Sequence, residues 1–205
     1  MALPFFAVAQ ITHTAQGELD KNAQEVLGKA EKKFNGGPVR FTVNMLAKDS
    51  QKKQMARHTA QIEYHGGKYR ASFDGQTVIC DGKTVYTLDE KSKEVVINAL
   101  SEKDDDLTNP ANLLVNWQKG FRAKYIRTES NGDAVVDMTP KKGKSYYKIR
   151  IIIGSGGTLK RMVIHNYDGS EVDFDVTDFK STAANPSTFT FDKSRYAGYE
   201  EIDMR

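Results

Sequence analysis

Between residues 39 and 97 the sequence alternates apolar and polar residues with a period of two, and short turn sequences divide this stretch into six segments. The pattern is clearest from Gln76 to Ile97, where Asp81-Gly82 supplies one tight turn and Asp89-Glu90-Lys91-Ser92 supplies the next. Six successive strands without an intervening helix predict an antiparallel sheet. One face of such a sheet is apolar, so any function is expected in what that face encloses.

The stretch from Gln76 to Ile97 predicts a three-stranded meander, and further segments with the same period lie on either side of this meander. The strands predicted outside it are 39–45, Thr59–Tyr64, Lys68–Phe73, Phe121–Arg127, Ala134–Thr139, Tyr146–Ile153, Leu159–Asn166, Glu171–Thr177 and Thr188–Phe191. Glycine-containing turns, such as Asn131-Gly132 and Asp168-Gly169, separate most of the later ones. The sequence therefore predicts about eleven or twelve strands, which is enough for a strongly bent sheet.

Two segments have helical patterns instead. Asp20 is a suitable N-cap for a helix that ends at Phe34, and its apolar positions recur at spacings of three and four. Thr108 to Trp117 follows an acidic loop, and Pro110 suits the first turn of a helix. The predicted fold is mainly β (α+β), an open or incomplete antiparallel β-barrel whose concave face is covered by the helices.

The chain of 205 residues is long enough for one domain, which we expect to span residues 20–205. Its start is apolar, and Ala7-Val8-Ala9 has the small-x-small form of a signal peptidase site. Export with cleavage after Ala9 is therefore predicted, with residues 1–19 as signal remnant and linker, although a disordered or packed tail is the alternative. No apolar run of 18 residues occurs.

No motif predicts catalysis or a bound cofactor. Gly143-Lys144-Ser145 resembles the end of a phosphate-binding loop, but the required earlier glycine is replaced by Met138. The sole cysteine, Cys80, cannot form an internal disulfide, and the run Asp104-Asp105-Asp106 lacks the spacing of a calcium loop. The four histidines, which are His13, His58, His65 and His165, show no metal-site spacing. We expect no metal and no enzymatic activity.

A basic cluster lies in the second half of the sequence. It consists of Lys141, Lys142, Lys144, Lys148 and Arg150, with Tyr146 and Tyr147 inside it. Its alternation with Tyr147, Ile149 and Ile151 is typical of the solvated face of a strand, which is the favoured interpretation. The second interpretation is that the cluster binds anionic lipid or an acidic protein partner. The net charge of +3 does not by itself indicate nucleic-acid binding, and no nucleic-acid partner is predicted.

Four stretches in order resemble the periplasmic outer-membrane lipoprotein carrier proteins, the LolA family. They are Gln76–Tyr86 with its Asp-Gly-Lys-Thr turn, Thr108-Asn109-Pro110 opening a helix, 136–141 (Val-Asp-Met-Thr-Pro-Lys) before a strand, and 187–191 (Ser-Thr-Phe-Thr-Phe). Each stretch is weak alone, but their order and spacing make the combination specific. The resemblance covers the chain from Asp20 to its C-terminus.

The resemblance implies an apolar cavity that carries the acyl chains of lipoproteins through the periplasm. It implies as partners acylated lipoproteins, an inner-membrane lipoprotein-releasing ABC transporter and an outer-membrane acceptor. The candidates for the cavity lining are Phe41, Val43, Met45, Ile62, Tyr64, Tyr69, Leu113, Leu114, Trp117 and Ile151. Any of these residues could instead belong to a sealed core.

In the family an arginine near the third strand holds the lid closed, and His65 occupies the corresponding position here. A latch is therefore predicted at His65 unless it is made differently. The alternative function is a non-enzymatic sensor, or a carrier of another lipid or glycolipid, with the same fold. A monomer is expected in either case.

Overall fold

A computed structural model describes residues 20–100, 113–115 and 117–205 of the chain. The predicted signal segment, the acidic loop and most of the predicted helix from Thr108 to Trp117 lie outside these residues. Within the described residues, no helix is long and apolar enough to cross a membrane.

Twelve strands form one sheet in the order β12-β6-β5-β4-β3-β2-β1-β11-β10-β9-β8-β7. The α-helices whose bounds fall within the described residues are α1 (Lys21–Asn35) and α2 (Trp117–Gly120). The strands are β1 (Val39–Lys48), β2 (Gln54–His65), β3 (Lys68–Phe73), β4 (Gln76–Cys80), β5 (Thr84–Asp89), β6 (Glu94–Ala99), β7 (Phe121–Thr128), β8 (Ala134–Pro140), β9 (Tyr146–Ile153), β10 (Leu159–Asn166), β11 (Glu171–Ser181) and β12 (Glu200–Asp203).

The sheet consists of two meanders joined at one seam. Strands β1 to β6 follow one another in space as they do in sequence, and β7 to β11 do the same. The seam is the antiparallel pair of β1 and β11, in which Val39 faces Ser181 and Lys48 faces Glu171. Since β7 and β12 are the two ends of the order, the sheet is open, as the sequence predicted.

Helix α1 forms because its sequence supplies both a cap and an apolar stripe. The Asp20 carboxylate accepts a hydrogen bond from the Ala23 backbone N–H at 3.0 Å, which satisfies one of the free donors of the first turn. The stripe is fully buried against the sheet and consists of Ala23, Leu27, Ala30 and Phe34. We call the sheet face that receives α1 the inner face, and the opposite face the outer face.

The C-terminal segment differs from the sequence prediction. Thr188–Phe191, expected as a strand, lies partly in a 3-10 helix, Pro186–Phe189. Asn185 caps this helix by accepting from the Ser187 backbone N–H at 3.2 Å, and a proline at the first turn favours a helix over a strand. The strand prediction at this position was therefore wrong.

The chain then runs over the outer face of β4 to β6. A second 3-10 helix, Lys193–Tyr196, is followed by β12, which pairs with β6 in parallel, whereas every other neighbouring pair is antiparallel. We call residues 186–203 the C-terminal strap. Strand β12 was not predicted, because its four residues are all exposed and show no apolar alternation.

Three strands are several residues longer than the sequence indicated. Strand β1 continues to Lys48 instead of residue 45, β2 begins at Gln54 instead of Thr59, and β11 continues to Ser181 instead of Thr177. The extensions of β2 and β11 both pair with β1, which has a neighbouring strand on each side. Cross-strand pairing thus extends these strands into polar sequence that has no periodic signal.

Candidate functional site

The inner face is divided into a filled half and a half that contains a cavity. Phe34, at the end of α1, packs edge-on against Phe41 and Tyr64, with ring centroids 5.8 Å away in both cases. Phe179 of β11 completes this cluster at 5.3 Å from the Phe34 ring. The start of β1 and the end of β2 are therefore sealed by aromatic side chains.

The cavity lies along the other half of the same strands and has a volume of about 380 Å³. It is lined by Val43, Met45, His58, Ala60, Tyr69, Ala71, Phe73, Asp74, Gln76, Val78 and Phe174. Most of these side chains are apolar, and they come from inward positions of β1 to β4 and of β11. The volume is within the range of small-molecule sites, about 300–1,000 Å³.

A polar pair lies in the wall of this cavity. The Nδ1 atom of His58 contacts a carboxylate oxygen of Asp74, in the turn between β3 and β4. Both side chains are about half exposed, at 42% and 57%. The same wall includes Gln76, which donates a hydrogen bond to Asp89 at 3.1 Å. A ligand in the cavity therefore meets apolar walls with polar groups at one position.

Of the lining candidates named from sequence, Val43, Met45 and Tyr69 line the cavity. The others that the structure describes are buried in the same core cluster, but they do not contribute to this cavity wall; they are Phe41, Ile62, Tyr64, Leu113, Leu114, Trp117 and Ile151. Phe41 and Tyr64 pack against Phe34 instead. Their role in cargo binding stays a prediction.

The remaining residues of the cavity wall were not predicted from the sequence as lining residues. Ala60, Ala71 and Val78 are small inward residues of three neighbouring strands, and the pairs Ile62–Ala71 and Ala71–Val78 fix their common face. Small side chains on adjacent strands leave space that larger ones would fill. The alternation of the sequence predicts that these residues face inward. A small residue in a single strand does not indicate a cavity, however, because the space depends on small residues in the neighbouring strands as well.

The proposed latch residue, His65, is exposed at the last position of β2. Its neighbour Tyr64 is buried, and the Tyr64 hydroxyl accepts a hydrogen bond from the Gly67 backbone N–H at 3.2 Å. Burial raises the pKa of Tyr64. Among the histidines that the structure describes, His58 is the one that lines the cavity, so a latch at His65 stays a prediction.

The outer face of β8 to β11 carries a network of ion pairs. Arg150 donates two hydrogen bonds to Asp137, at 2.7 and 2.8 Å. Burial opposes ionisation of Asp137, but Arg150 outweighs it and the pKa of this carboxyl is lowered. Asp173 is buried between Lys48 and Arg161, and its pKa is likewise lowered because these two cations outweigh its desolvation.

Part of the basic cluster of the sequence therefore belongs to this network. Arg150 and Lys148 both pair with Asp137, and Lys148 Nζ also lies 5.8 Å from the ring centroid of Tyr147, which is 43% exposed. Tyr147 was expected on the same side as Ile149, but a register shift opposite His165 and Asn166 turns Tyr146 inward and leaves Tyr147 exposed. That part of the predicted alternation was wrong.

Within the described ranges, no group of three or more His, Cys, Asp or Glu side chains is placed to hold a metal ion. Cys80 is fully buried on the inner face, with its thiol 3.9 Å from the Gly67 carbonyl oxygen. His165 is half-buried, and its Nδ1–H donates a hydrogen bond to the Glu171 carboxylate at 2.9 Å. Burial lowers the pKa of His165, and the positive charge of Lys148 acts in the same direction.

The fold and the cavity can be compared with known proteins. Residues 39–192 match the protein family described as outer membrane lipoprotein carrier protein LolA. A comparison with curated proteins finds no match. An uncharacterized conserved protein from Thermus thermophilus superposes with a TM-score of 0.62 at 15% identity, over 89% of this chain and 99% of that chain. This similarity shows that the two chains share a fold.

Two further solved structures are more distant. A LolA superfamily protein from Nitrosomonas europaea has a TM-score of 0.49 at 14% identity, over 83% of this chain and 98% of that one. The complex of MucA and MucB from Pseudomonas aeruginosa gives 0.39 at 12% identity, over 84% and 62%. Because the family match runs from the start of β1 through β11 and covers most of the sequence, the chain belongs to the LolA family.

Proposed function

We propose that this chain is a non-enzymatic carrier, which binds the acyl chains of lipoproteins and moves them across the periplasm. The observation that carries the proposal is the apolar cavity of about 380 Å³ on the inner face. Membership of the LolA family supports a lipid or lipoprotein as the ligand and the cell envelope as the location. Loading from a lipoprotein-releasing ABC transporter and delivery to an outer-membrane acceptor complete the proposed route.

The proposed function follows from the hydrophobic effect. Each acyl methylene exposed to water costs about 0.8 kcal/mol, so a lipid-modified protein cannot leave a membrane unaided. A carrier therefore has to offer an apolar site in which acyl chains are about as stable as they are in the bilayer. Val43, Ala71 and Phe174 provide such walls, and no chemical step is required.

A carrier also has to release its cargo, so the affinity of the site for acyl chains has to be limited. The aromatic cluster around Phe34 fills one half of the inner face, so the cavity is confined to the other half. Confinement limits the apolar area that one cargo can bury, and the binding free energy scales with that area. We propose that this partial filling keeps cargo binding reversible.

The test is a titration of the purified protein with a fluorescent triacylated lipopeptide in the absence of membranes. Ala60→Phe places a large side chain in the cavity wall, so binding should weaken by at least about tenfold. Gln61→Phe is the matched control, because Gln61 is the next residue of β2 and lies exposed on the outer face. This control should bind as the wild type does.

Two results would contradict the proposal. A wild-type protein that binds no lipopeptide at any concentration below its critical micelle concentration would exclude the carrier function. Equal affinities of the Ala60→Phe and wild-type proteins would place the binding site elsewhere. Thermal unfolding of both variants establishes that they are folded.

A second candidate is a carrier or sensor of another lipid or glycolipid. It is favoured by the polar pair of His58 and Asp74, which a ligand with a polar head could contact while its chain occupies the apolar walls. Extraction of the protein purified from a bacterial periplasm, followed by mass spectrometry, distinguishes the two. A bound acylated peptide supports the first candidate, and a bound phospholipid or glycolipid supports the second.

We propose that the carrier is a monomer. The edge strand β7 carries exposed charges at Arg122, Lys124 and Arg127, which oppose pairing with the edge of a second copy. Light scattering should give a mass close to 23.0 kDa for the full chain. A dimer mass that persists on dilution would contradict this expectation.

A further inference from the structure

The turns at one end of the sheet are brought together by direct contacts. Lys52, between β1 and β2, donates a hydrogen bond to the Gly169 carbonyl between β10 and β11, at 3.0 Å. The Tyr167 backbone N–H donates to the Ser145 carbonyl, just before β9, at 3.4 Å. The segments 49–53, 141–145 and 167–170 therefore form one continuous surface, which we call the lysine rim.

The lysine rim is basic. Its three segments contain Lys52, Lys53, Lys141, Lys142 and Lys144, and against these only Asp49 and Asp168. The two carboxylates accept hydrogen bonds from backbone N–H groups of their own turns. Lys52 also forms an ion pair with Glu171, the first residue of β11, at 2.9 Å, so the excess of positive charge in the rim comes from the other lysines.

Two exposed tyrosines stand within the rim or beside it. Tyr167 is 73% exposed and Tyr147 is 43% exposed, and their ring centroids lie 5.6 Å apart. Tyrosine has an apolar ring and a polar hydroxyl, so it is suited to the boundary between lipid head groups and acyl chains. Lysines around a pair of exposed tyrosines are a combination that fits a membrane surface.

The rim lies at the same end of the sheet as the cavity. Met45, His58 and Phe174 line the cavity and are each three or four residues from the turn-side ends of their strands. The aromatic cluster around Phe34 lies toward the opposite ends of β1 and β2. A protein that docks through the rim would therefore bring the cavity half of the inner face near the membrane.

We infer that the lysine rim docks this protein onto a bilayer containing anionic phospholipid, with the lysines contacting the head groups and Tyr147 and Tyr167 at the interface. Charge complementarity attracts the rim to such a surface and weakens as salt screens it. The inference goes beyond the proposed function, because it concerns the head groups of a membrane and not the ligand of the cavity.

The test is flotation with vesicles of phosphatidylglycerol and phosphatidylcholine, compared with vesicles of phosphatidylcholine alone. Wild-type protein should float with the vesicles that contain phosphatidylglycerol at low salt and dissociate from them as salt is added. It should not bind the vesicles of phosphatidylcholine alone. Lys53→Glu combined with Lys142→Glu should weaken binding by at least about thirtyfold, because two attractive charges are lost and two repulsive ones are added. Tyr167→Ser should weaken it by a smaller factor, because the aromatic contact is lost while the charge is kept.

The matched control is Lys68→Glu combined with Lys83→Glu. These exposed lysines lie by the turns at the opposite end of the sheet, and the double variant changes the net charge by the same amount. It should bind anionic vesicles almost as the wild type does. Equal loss in both double variants would mean that net charge alone matters, and would overturn the inference.

The inference of membrane docking would also be overturned if the wild-type protein did not bind anionic vesicles at low salt. An acidic protein would then be the partner to test for the lysine rim. The cavity is tested separately, since the rim variant should still bind lipopeptide and Ala60→Phe should still float with anionic vesicles. A failure of the rim is thereby distinguished from a failure of the carrier function.

Discussion

Asp20 joins the start of α1 to the edge strand β7, because one of its carboxylate oxygens accepts from Ala23 at 3.0 Å and the other accepts from the Tyr125 backbone N–H at 2.9 Å. These two donors are 102 positions apart in the numbering (125 minus 23). One side chain thus caps the helix and also fixes where its first turn meets the sheet.

Replacing Asp20 separates these two roles. Asn caps helices as well as Asp does, but it has one acceptor oxygen, so Asp20→Asn should keep the cap and lose the bond to Tyr125, at a cost of about 1 kcal/mol. Asp20→Ala loses both and should cost about 2 kcal/mol. Urea unfolding measures both values. If the Asn variant were as stable as the wild type, the bond to Tyr125 would contribute nothing.

A second prediction concerns the turn that supports the middle of α1. Gly157 has φ +80, and a Cβ atom at this position would lie 2.7 Å from the Lys29 carbonyl oxygen. Gly132 has a similar φ of +86 but nothing within 4 Å. Gly132→Ala should therefore cost about 1 kcal/mol for the backbone alone, and Gly157→Ala about 2 kcal/mol more, because the helix has to move.

The measurement is the free energy of unfolding, with hydrogen exchange of the α1 amides as a second observable. Faster exchange in α1 should appear in the Gly157 variant and not in the Gly132 control. Equal stability of the two variants would show that the turn does not hold the helix in place.

A third prediction concerns the buried carboxylate of the outer face. Asp173→Asn leaves Lys48 and Arg161 without their shared anion, and it should lower the free energy of unfolding at pH 7 by about 2 kcal/mol. Asp175→Asn is the control, because Asp175 is 58% exposed and lies 3.5 Å from Arg161. Its replacement should cost less than about 1 kcal/mol.

The pH dependence of the Asp173 contribution has a definite sign. The pKa of this carboxyl is lower in the folded protein than its ordinary value of 3.8, so the folded state favours the ionised form. Its contribution is present above pH 3.8 and is lost as the pH falls through the lower folded pKa. The stability difference between wild type and Asp173→Asn should therefore shrink below pH 3.8, and a constant difference would contradict this assignment.

A fourth prediction concerns the C-terminal strap. The Phe191 ring stacks on Tyr86 of β5 with centroids 4.6 Å apart, and on Tyr196 at 5.6 Å. Phe191→Ala should cost about 2 kcal/mol and should speed hydrogen exchange in β6, because β12 is then held less firmly against that edge. Phe191→Leu keeps an apolar contact and should cost about half as much. Unchanged exchange in β6 would show that the strap is held by other contacts.

Much of the sheet could be predicted from sequence, because its strands are amphipathic and glycine-containing turns divide them. Helix α1 was also predicted, since its cap and its apolar stripe are both local signals. Strand β12 could not be predicted, because pairing with β6, a strand distant in sequence, creates it. The extension of β2 pairs with the end of β1 across a short turn, but its own polar sequence shows no alternation. The proline at position 186 is a local signal for the 3-10 helix, whereas the alternation from Thr188 to Phe191 predicted a strand.

The cavity was harder to predict than the sheet. Alternation places Phe41 and Val43 on one face, but it does not determine whether that face is filled. The difference arises from α1, because Phe34 packs against Phe41, whereas Val43 lies beyond that aromatic cluster. A sequence pattern within a single strand contains no information about which helix residue packs above it.

The seam between β1 and β11 also determines when the fold can be completed. Lys48 and Asp173 meet across it although they are 125 residues apart in sequence. Contacts between distant segments form late, because the loop entropy has to be overcome first. During synthesis the meander β1 to β6 can therefore form while the second meander is still in the ribosome, and the seam can close only once β11 has been made. Pulse-labelling hydrogen exchange during refolding should accordingly protect β3 to β5 before β11, and simultaneous protection would indicate a single cooperative step.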